Sequence, residues 1–352
     1  MKFFLHLFDN NPNSFTGEAF CSIIQLLRRH DQVMPLNADS MKAAACLVLP
    51  IFGVPRFPDM SYGPGWAIAT CIPISKFPTL GDASTRFCFL KAWTAIAQTG
   101  SDDWFLANGT LPVYDRLVKY PKLDESYAKN AKIESFNEEY KLPRLSGPTG
   151  KVRATFILTR TVINGLKKLV ATELPTLAYV SSFTVTCAYI WSCAAQLHDD
   201  EPAAFGFTVD CRSRLDPPIP SAYFGNCVML CANVARTSIL KEKEGFLTAA
   251  RLIGENLHNM LTDKDEFVKD LGPIENLFPD RWPTMMMGVA GTPKLKFYDL
   301  DFGFGRPIKH ETVSIDYSGS ISISGCRDSN EDLEIGCVSF CCSDGWFCRS
   351  LQ

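Results

Sequence analysis

The chain has 352 residues, 46% hydrophobic and 21% charged, which is enough for two ordinary domains around large cores. Its net charge of -3 argues against nucleic acid or an anionic membrane as the main partner. No apolar run reaches the ~20 residues of a membrane span, and Asp9 interrupts the apolar start too soon for a secretory signal.

The 14 cysteines therefore read as buried thiols in a reducing, cytoplasmic setting, without disulfides. Cys341, Cys342 and Cys348 lie close together, but their spacing fits no zinc pattern and no histidine is near, so no metal is expected.

Taken in chain order, residues 86–98 predict a short amphipathic helix. From 122 to 151 charges crowd together and give way to Leu142-Pro143-Arg144-Leu145-Ser146-Gly147-Pro148. That stretch predicts an exposed crossover over 126–151, between a domain over 1–125 and another over 152–352. Residues 152–158 alternate as a strand with one wet face. Residues 160–174 carry Ile163, Leu166 and Leu169 at helical spacing.

Ser181 or Ser182 can cap a further helix through Ala188, Trp191 and Ala194, which is apolar nearly all round and so belongs in a core. A strand over 205–210 and a long amphipathic helix over 244–270 follow. Residues 285–288 and 298–302 read as strand edges, and 310–324 as strand, turn and strand. Helices and strands mix without strict alternation. This favours an α/β protein of mixed sheets over a doubly wound parallel fold.

Three segments carry the densest constraints. They are Leu80-Gly81-Asp82-Ala83-Ser84-Thr85-Arg86-Phe87, the run from Val209-Asp210-Cys211-Arg212-Ser213-Arg214 to Tyr223-Phe224-Gly225-Asn226-Cys227, and Asp301-Phe302-Gly303-Phe304-Gly305-Arg306-Pro307. In this order they resemble the plant BAHD acyltransferases, most of all the branch that malonylates anthocyanins and other flavonoid glucosides. The resemblance covers roughly residues 80–337.

It implies a two-domain fold similar to chloramphenicol acetyltransferase, with a substrate channel between the domains. It also implies a longer N-terminal domain than this chain supplies, so that domain is expected to be incomplete. The implied co-substrate is an acyl-CoA, malonyl-CoA first, with no permanently bound cofactor. The implied acceptor is an anthocyanin or flavonoid glucoside, and the implied state is a monomer without nucleic-acid or membrane partners.

Acyl transfer from a thioester to a hydroxyl needs a base, because the hydroxyl loses its proton as it attacks. In the family that base opens a His-x-x-x-Asp signature whose aspartate is structural. Asp82 matches the aspartate, and the histidine position is Pro78, which has no proton-accepting side chain. None of His6, His30, His198, His258 and His310 has an aspartate four residues on.

Arg86, one turn after Asp82, suits the free carboxylate of a malonyl group, the alternative being an ion pair with Asp82 or Asp102. The resemblance assigns Asp301 an architectural pairing, with Arg212 or Arg214 as the candidate partner. Gly303 and Gly305 serve a tight loop there. Ser181 and Ser182 are read as coenzyme A contacts or as a plain helix cap. Asn226 is read as a donor to the acyl carbonyl or as a turn residue.

Two functions remain open: an acyl-CoA-dependent acyltransferase, or an impaired relative that binds coenzyme A or a glucoside without turnover. The Asp301-Phe302-Gly303 run lacks the rest of a kinase signature, and no Gly-x-Ser-x-Gly elbow is present.

Overall fold

The computed structural model describes residues 81–99, 103–108, 111–114, 151–178, 180–199, 202–262, 283, 285–303, 305–312, 315 and 319–340. Asp82 opens the first helix, α1 (Ala83–Thr99), by accepting the backbone N–H of Thr85 at 3.0 Å. The helix contains no glycine or proline, so nothing in it interrupts the backbone ladder.

After α2 (Asp103–Asn108), residues 111–114 lie against the 222–224 segment. There Val113 N donates to Ala222 O and Phe224 N donates to Val113 O, both at 2.9 Å. The chain then continues through β1 (Lys151–Leu158), α3 (Arg160–Glu173), α4 (Ser182–Ala195), β2 (Pro202–Asp210), β3 (Val228–Arg236) and α5 (Thr237–Lys241). Among the described residues α6 (Gly245–Thr262), β4 (Met285–Ala290), β5 (Ile321–Gly325) and β6 (Leu333–Phe340) follow.

The strands form one sheet in the order β1-β6-β5-β4-β2-β3. Pairs β1/β6, β6/β5 and β2/β3 are antiparallel, whereas β5/β4 and β4/β2 are parallel. The mixed sheet agrees with the sequence reading. α4 buries Val185, Cys187, Ala188, Ile190 and Trp191 in the main core, with Trp191 5.6 Å from the ring of Phe205 on β2. Ile163 and Val170 of α3, and Ile253 and Leu257 of α6, close the same core. Thr159 caps α3 and Ser181 caps α4. A smaller cluster sets Leu90 and Ala97 of α1 against Leu300 and Phe302.

Three expectations differ from the structure. Residues 298–302 form no strand: Asp299 N returns to Lys296 O and Leu300 N to Phe297 O, so Phe297–Asp299 is a 3-10 turn. The turn frees Phe297 and Phe302 to pack on α1 while Tyr298 faces β6. Residues 310–312 have no regular structure, and the strand of that region is β5. Residues 285–288, read as an edge, lie inside the sheet between β2 and β5. The tail of the helix expected to reach 270, and Cys341, Cys342 and Cys348, lie outside the described residues.

Trp191 has 0% exposure and its indole N–H has no partner among the described residues, so its stabilisation is apolar. Trp191→Ala should lower unfolding free energy by about 3–5 kcal/mol. Trp191→Phe, which keeps a ring and removes the unmatched donor, should cost well under half as much. Urea midpoints at unchanged slope would measure both.

Candidate active site

The described part of the site is organised around one buried ion pair. Arg212 Nη1 lies 2.7 Å from Asp82 Oδ2, and Nη2 lies 3.0 Å from Oδ1. The two residues are 4% and 6% exposed, which makes this a desolvated bidentate pair. The remaining capacity of Asp82 is taken by two backbone donors, Thr85 N at 3.0 Å and Cys227 N at 3.0 Å.

Arg212 Nη2 also donates to Gly225 O (2.9 Å) and Tyr223 O (3.1 Å), and Nη1 reaches Asp210 Oδ1 at 3.2 Å. Thr85 Oγ1 closes the ring by donating to Gly225 O (3.0 Å) and accepting from Gly225 N (3.1 Å). Burial disfavours the Arg212 charge, yet the carboxylates of Asp82 and Asp210 together hold its pKa above the ordinary value.

This arrangement corrects one expectation and gives another a partner. Arg212 binds Asp82, not Asp301. The Asp301 carboxylate instead folds back on its own loop, accepting Gly303 N (2.7 Å) and Gly305 N (2.9 Å). Both glycines have positive φ, 91° and 92°, which the short return demands. With both backbone donors supplied locally, Asp301 needs no arginine. Arg306 closes the same loop, donating from Nε to Tyr298 O (2.9 Å) and from Nη2 to Arg327 O (3.1 Å). Arg214, the other candidate, donates to the backbone carbonyl of Asp210.

Arg86 follows Asp82 by one turn, its N–H bonded to Asp82 O at 3.1 Å. Its guanidinium makes no hydrogen bond among the described residues and does not pair with Asp82, whose oxygens are engaged elsewhere. Burial pushes its pKa below the ordinary value, against the attraction of Asp82. A desolvated guanidinium of this kind is ready for an incoming anion.

Ser181 Oγ accepts Thr184 N at 3.0 Å and contacts Thr184 Oγ1 at 2.9 Å, so it acts as the cap of α4. Ser182 and Asn226 are exposed, and neither side chain has a hydrogen-bond partner among the described residues. Pro78 and Phe304 lie outside the described residues.

The sequence reading missed Thr85 and Asp210, which complete the ring around Arg212. Thr85 was legible in principle, because it stands at the third helix position after a capping aspartate. Among the described residues no cluster of histidine, cysteine and carboxylate groups suits a metal.

Breaking the buried pair from one side leaves an uncompensated charge, so Arg212→Ala should cost about 3–5 kcal/mol. Asp301→Ala removes two local hydrogen bonds at a partly exposed loop and should cost only about 1–2 kcal/mol, leaving a soluble protein. Denaturant unfolding of the two variants side by side checks the ranking.

A profile of the Transferase family matches residues 71–338. The malonyl-coenzyme A:anthocyanin 3-O-glucoside-6''-O-malonyltransferase of Dahlia pinnata is 44% identical over 319 residues, covering 86% of this chain and 66% of the relative. Phenolic glucoside malonyltransferase 1 of Nicotiana tabacum is 35% identical, covering 77% and 64% respectively. The chain thus spans slightly less than two thirds of the length of these relatives. The crystal structure of vinorine synthase superposes with a TM-score of 0.52 at 21% identity, over 74% of this chain and 57% of that one, which supports the shared fold. With the family profile spanning most of the chain and every described motif in its expected order, the protein belongs to the Transferase family, the BAHD acyltransferases that its sequence resembles.

Proposed function

We propose that this protein is an acyl-CoA-dependent O-acyltransferase that moves a malonyl group from malonyl-CoA to a sugar hydroxyl of an anthocyanin or other phenolic glucoside. The observation that carries this reading is the unengaged guanidinium of Arg86, one helical turn from Asp82 on a segment anchored by Arg212. A cationic group set there distinguishes a donor ending in a carboxylate from a neutral acyl-CoA. The malonyltransferase relatives from Dahlia pinnata and Nicotiana tabacum support the same donor and acceptor class.

In this reading Asp82 is architectural. Its carboxylate holds α1 to the 210–227 loop and has no lone pair left for proton transfer. Ser181 and Ser182 at the start of α4 face coenzyme A, and Asn226 faces the acyl carbonyl. The protein acts as a cytoplasmic monomer on small molecules.

A second reading, a binder of coenzyme A or glucoside without efficient turnover, is favoured by Pro78 at the general-base position. General-base assistance is worth about 100- to 10,000-fold. Pro78→His should therefore raise malonyl transfer by about that factor under the acyltransferase reading. An unchanged rate in a folded, malonyl-CoA-binding variant would favour the binder.

Arg86→Ala should weaken malonyl-CoA binding by about tenfold or more and leave acetyl-CoA unchanged. Equal effects on both donors would remove Arg86 from the carboxylate site.

A further inference from the structure

We infer that His310 is the second group of the carboxylate subsite beside Arg86: its imidazole N–H donates to the acyl carboxylate that the guanidinium attracts. The inference rests on the donor reading of Arg86 and names a residue outside the signature motifs.

Three observations carry it. First, the ring is held in place. It stacks on Phe297 at 4.2 Å and 4°, meets Tyr298 edge-on at 6.5 Å, and its backbone N–H donates to Tyr298 Oη at 3.2 Å. Phe297 in turn receives the edge of Phe87, the neighbour of Arg86 on α1, at 5.3 Å. One aromatic ring therefore joins the start of α1 to His310.

Second, neither the His310 ring nitrogens nor the Arg86 guanidinium has a hydrogen-bond partner among the described residues, although both groups are partly buried. Partly buried polar groups with unspent hydrogen-bonding capacity call for a ligand or water. Asp82 cannot satisfy them, because Arg212, Thr85 and Cys227 already occupy its oxygens.

Third, the charges around the ring favour a neutral imidazole until an anion arrives. Arg86 comes from α1 and Lys309 from the segment of His310 itself, while Tyr298 and Glu334 come from the turn and from β6. Glu334 is engaged by the Tyr298 hydroxyl (2.9 Å) and Lys309 (3.5 Å). Burial first, then Arg86 and Lys309, push the His310 pKa down to about 4. A neutral ring adds no cation to repel Arg86 and keeps one N–H to donate.

A carboxylate has two oxygens, so guanidinium and imidazole can each take one. A neutral acetyl group offers nothing to either. A bound carboxylate also raises the His310 pKa, so binding takes up protons and tightens as pH falls towards the range where the bound imidazole titrates.

The test is equilibrium binding of malonyl-CoA and acetyl-CoA to the full chain at about pH 7 and about pH 5, with His310→Phe, His310→Gln and Arg86→Ala. His310→Phe keeps the aromatic stack and removes the donor. It should weaken malonyl-CoA about tenfold, leave acetyl-CoA unchanged, and abolish the tightening of malonyl-CoA relative to acetyl-CoA at lower pH. His310→Gln, which keeps an N–H, should recover most of the affinity but not the pH dependence.

If His310→Phe leaves the malonyl-to-acetyl ratio and its pH dependence intact while Arg86→Ala lowers that ratio, His310 is excluded and Arg86 stands. Equal loss for both donors would make His310 merely structural and overturn the inference. An Arg86→Ala variant with an unchanged ratio, or a full chain that fails to bind malonyl-CoA, would overturn both readings.

Discussion

The buried pair of Asp82 and Arg212 is the constraint on which the described part of the site depends. Each member is nearly excluded from water, and a charge in that position is tolerated only when its partner and its remaining hydrogen bonds are all supplied. Supplying them recruits Thr85 from α1, Cys227 N, the carbonyls of Tyr223 and Gly225, and the carboxylate of Asp210. The result ties the start of α1 to the far end of the β2–β3 hairpin, across more than a hundred residues of sequence. Residues 111–114 add a backbone tie to the same hairpin.

This knot explains why an acid can belong to a catalytic signature without doing proton chemistry. All the directions in which Asp82 can accept are spent on architecture, and the architecture sets where the following residues of its segment point. Arg86 is the beneficiary. Being one turn along a helix whose first turn is clamped, it is carried to a defined place without being neutralised by the nearest carboxylate. A cation without a committed counterion is costly in a fold, which is the physical ground for the donor role proposed for Arg86.

The loop after the 3-10 turn works by a different economy. Asp301 satisfies the amides of two alternate glycines of its own loop, and Arg306 seals the loop to Tyr298 and Arg327. It is therefore self-contained, and its contribution to the site is indirect. It presents Phe302 and the neighbouring Phe297 to α1, which seats Phe87 and Trp93 and gives His310 its stacking surface. The two signature loops thus meet α1 from different sides, one through charge and one through aromatic packing.

Much of this was legible in the residue order. The all-apolar helix around Trp191 announces a core position, because no face of it tolerates water. The amphipathic patterns of α3 and α6 and the glycine-aromatic loop were also plain, since local spacing and φ requirements are properties of short segments. β3 and β6 were harder to see: with apolar residues on both faces they lack the clean alternation that marks a half-wet strand.

The pairing of charges, by contrast, was settled by the folded chain. Sequence offered Asp301 an arginine, since acids and bases in dense motifs invite partners, but the positive φ of Gly303 and Gly305 lets the loop satisfy that carboxylate itself. Arg212 was thereby left for Asp82. His310 passed as an isolated histidine because the stack that orients it belongs to Phe297, and the burial that chiefly lowers its pKa, with the smaller effect of Arg86 on a helix more than two hundred residues earlier, arises only in the folded chain. Local chemistry is written in consecutive residues, whereas the choice among several plausible ion-pair partners depends on which of them the folded chain removes from water together.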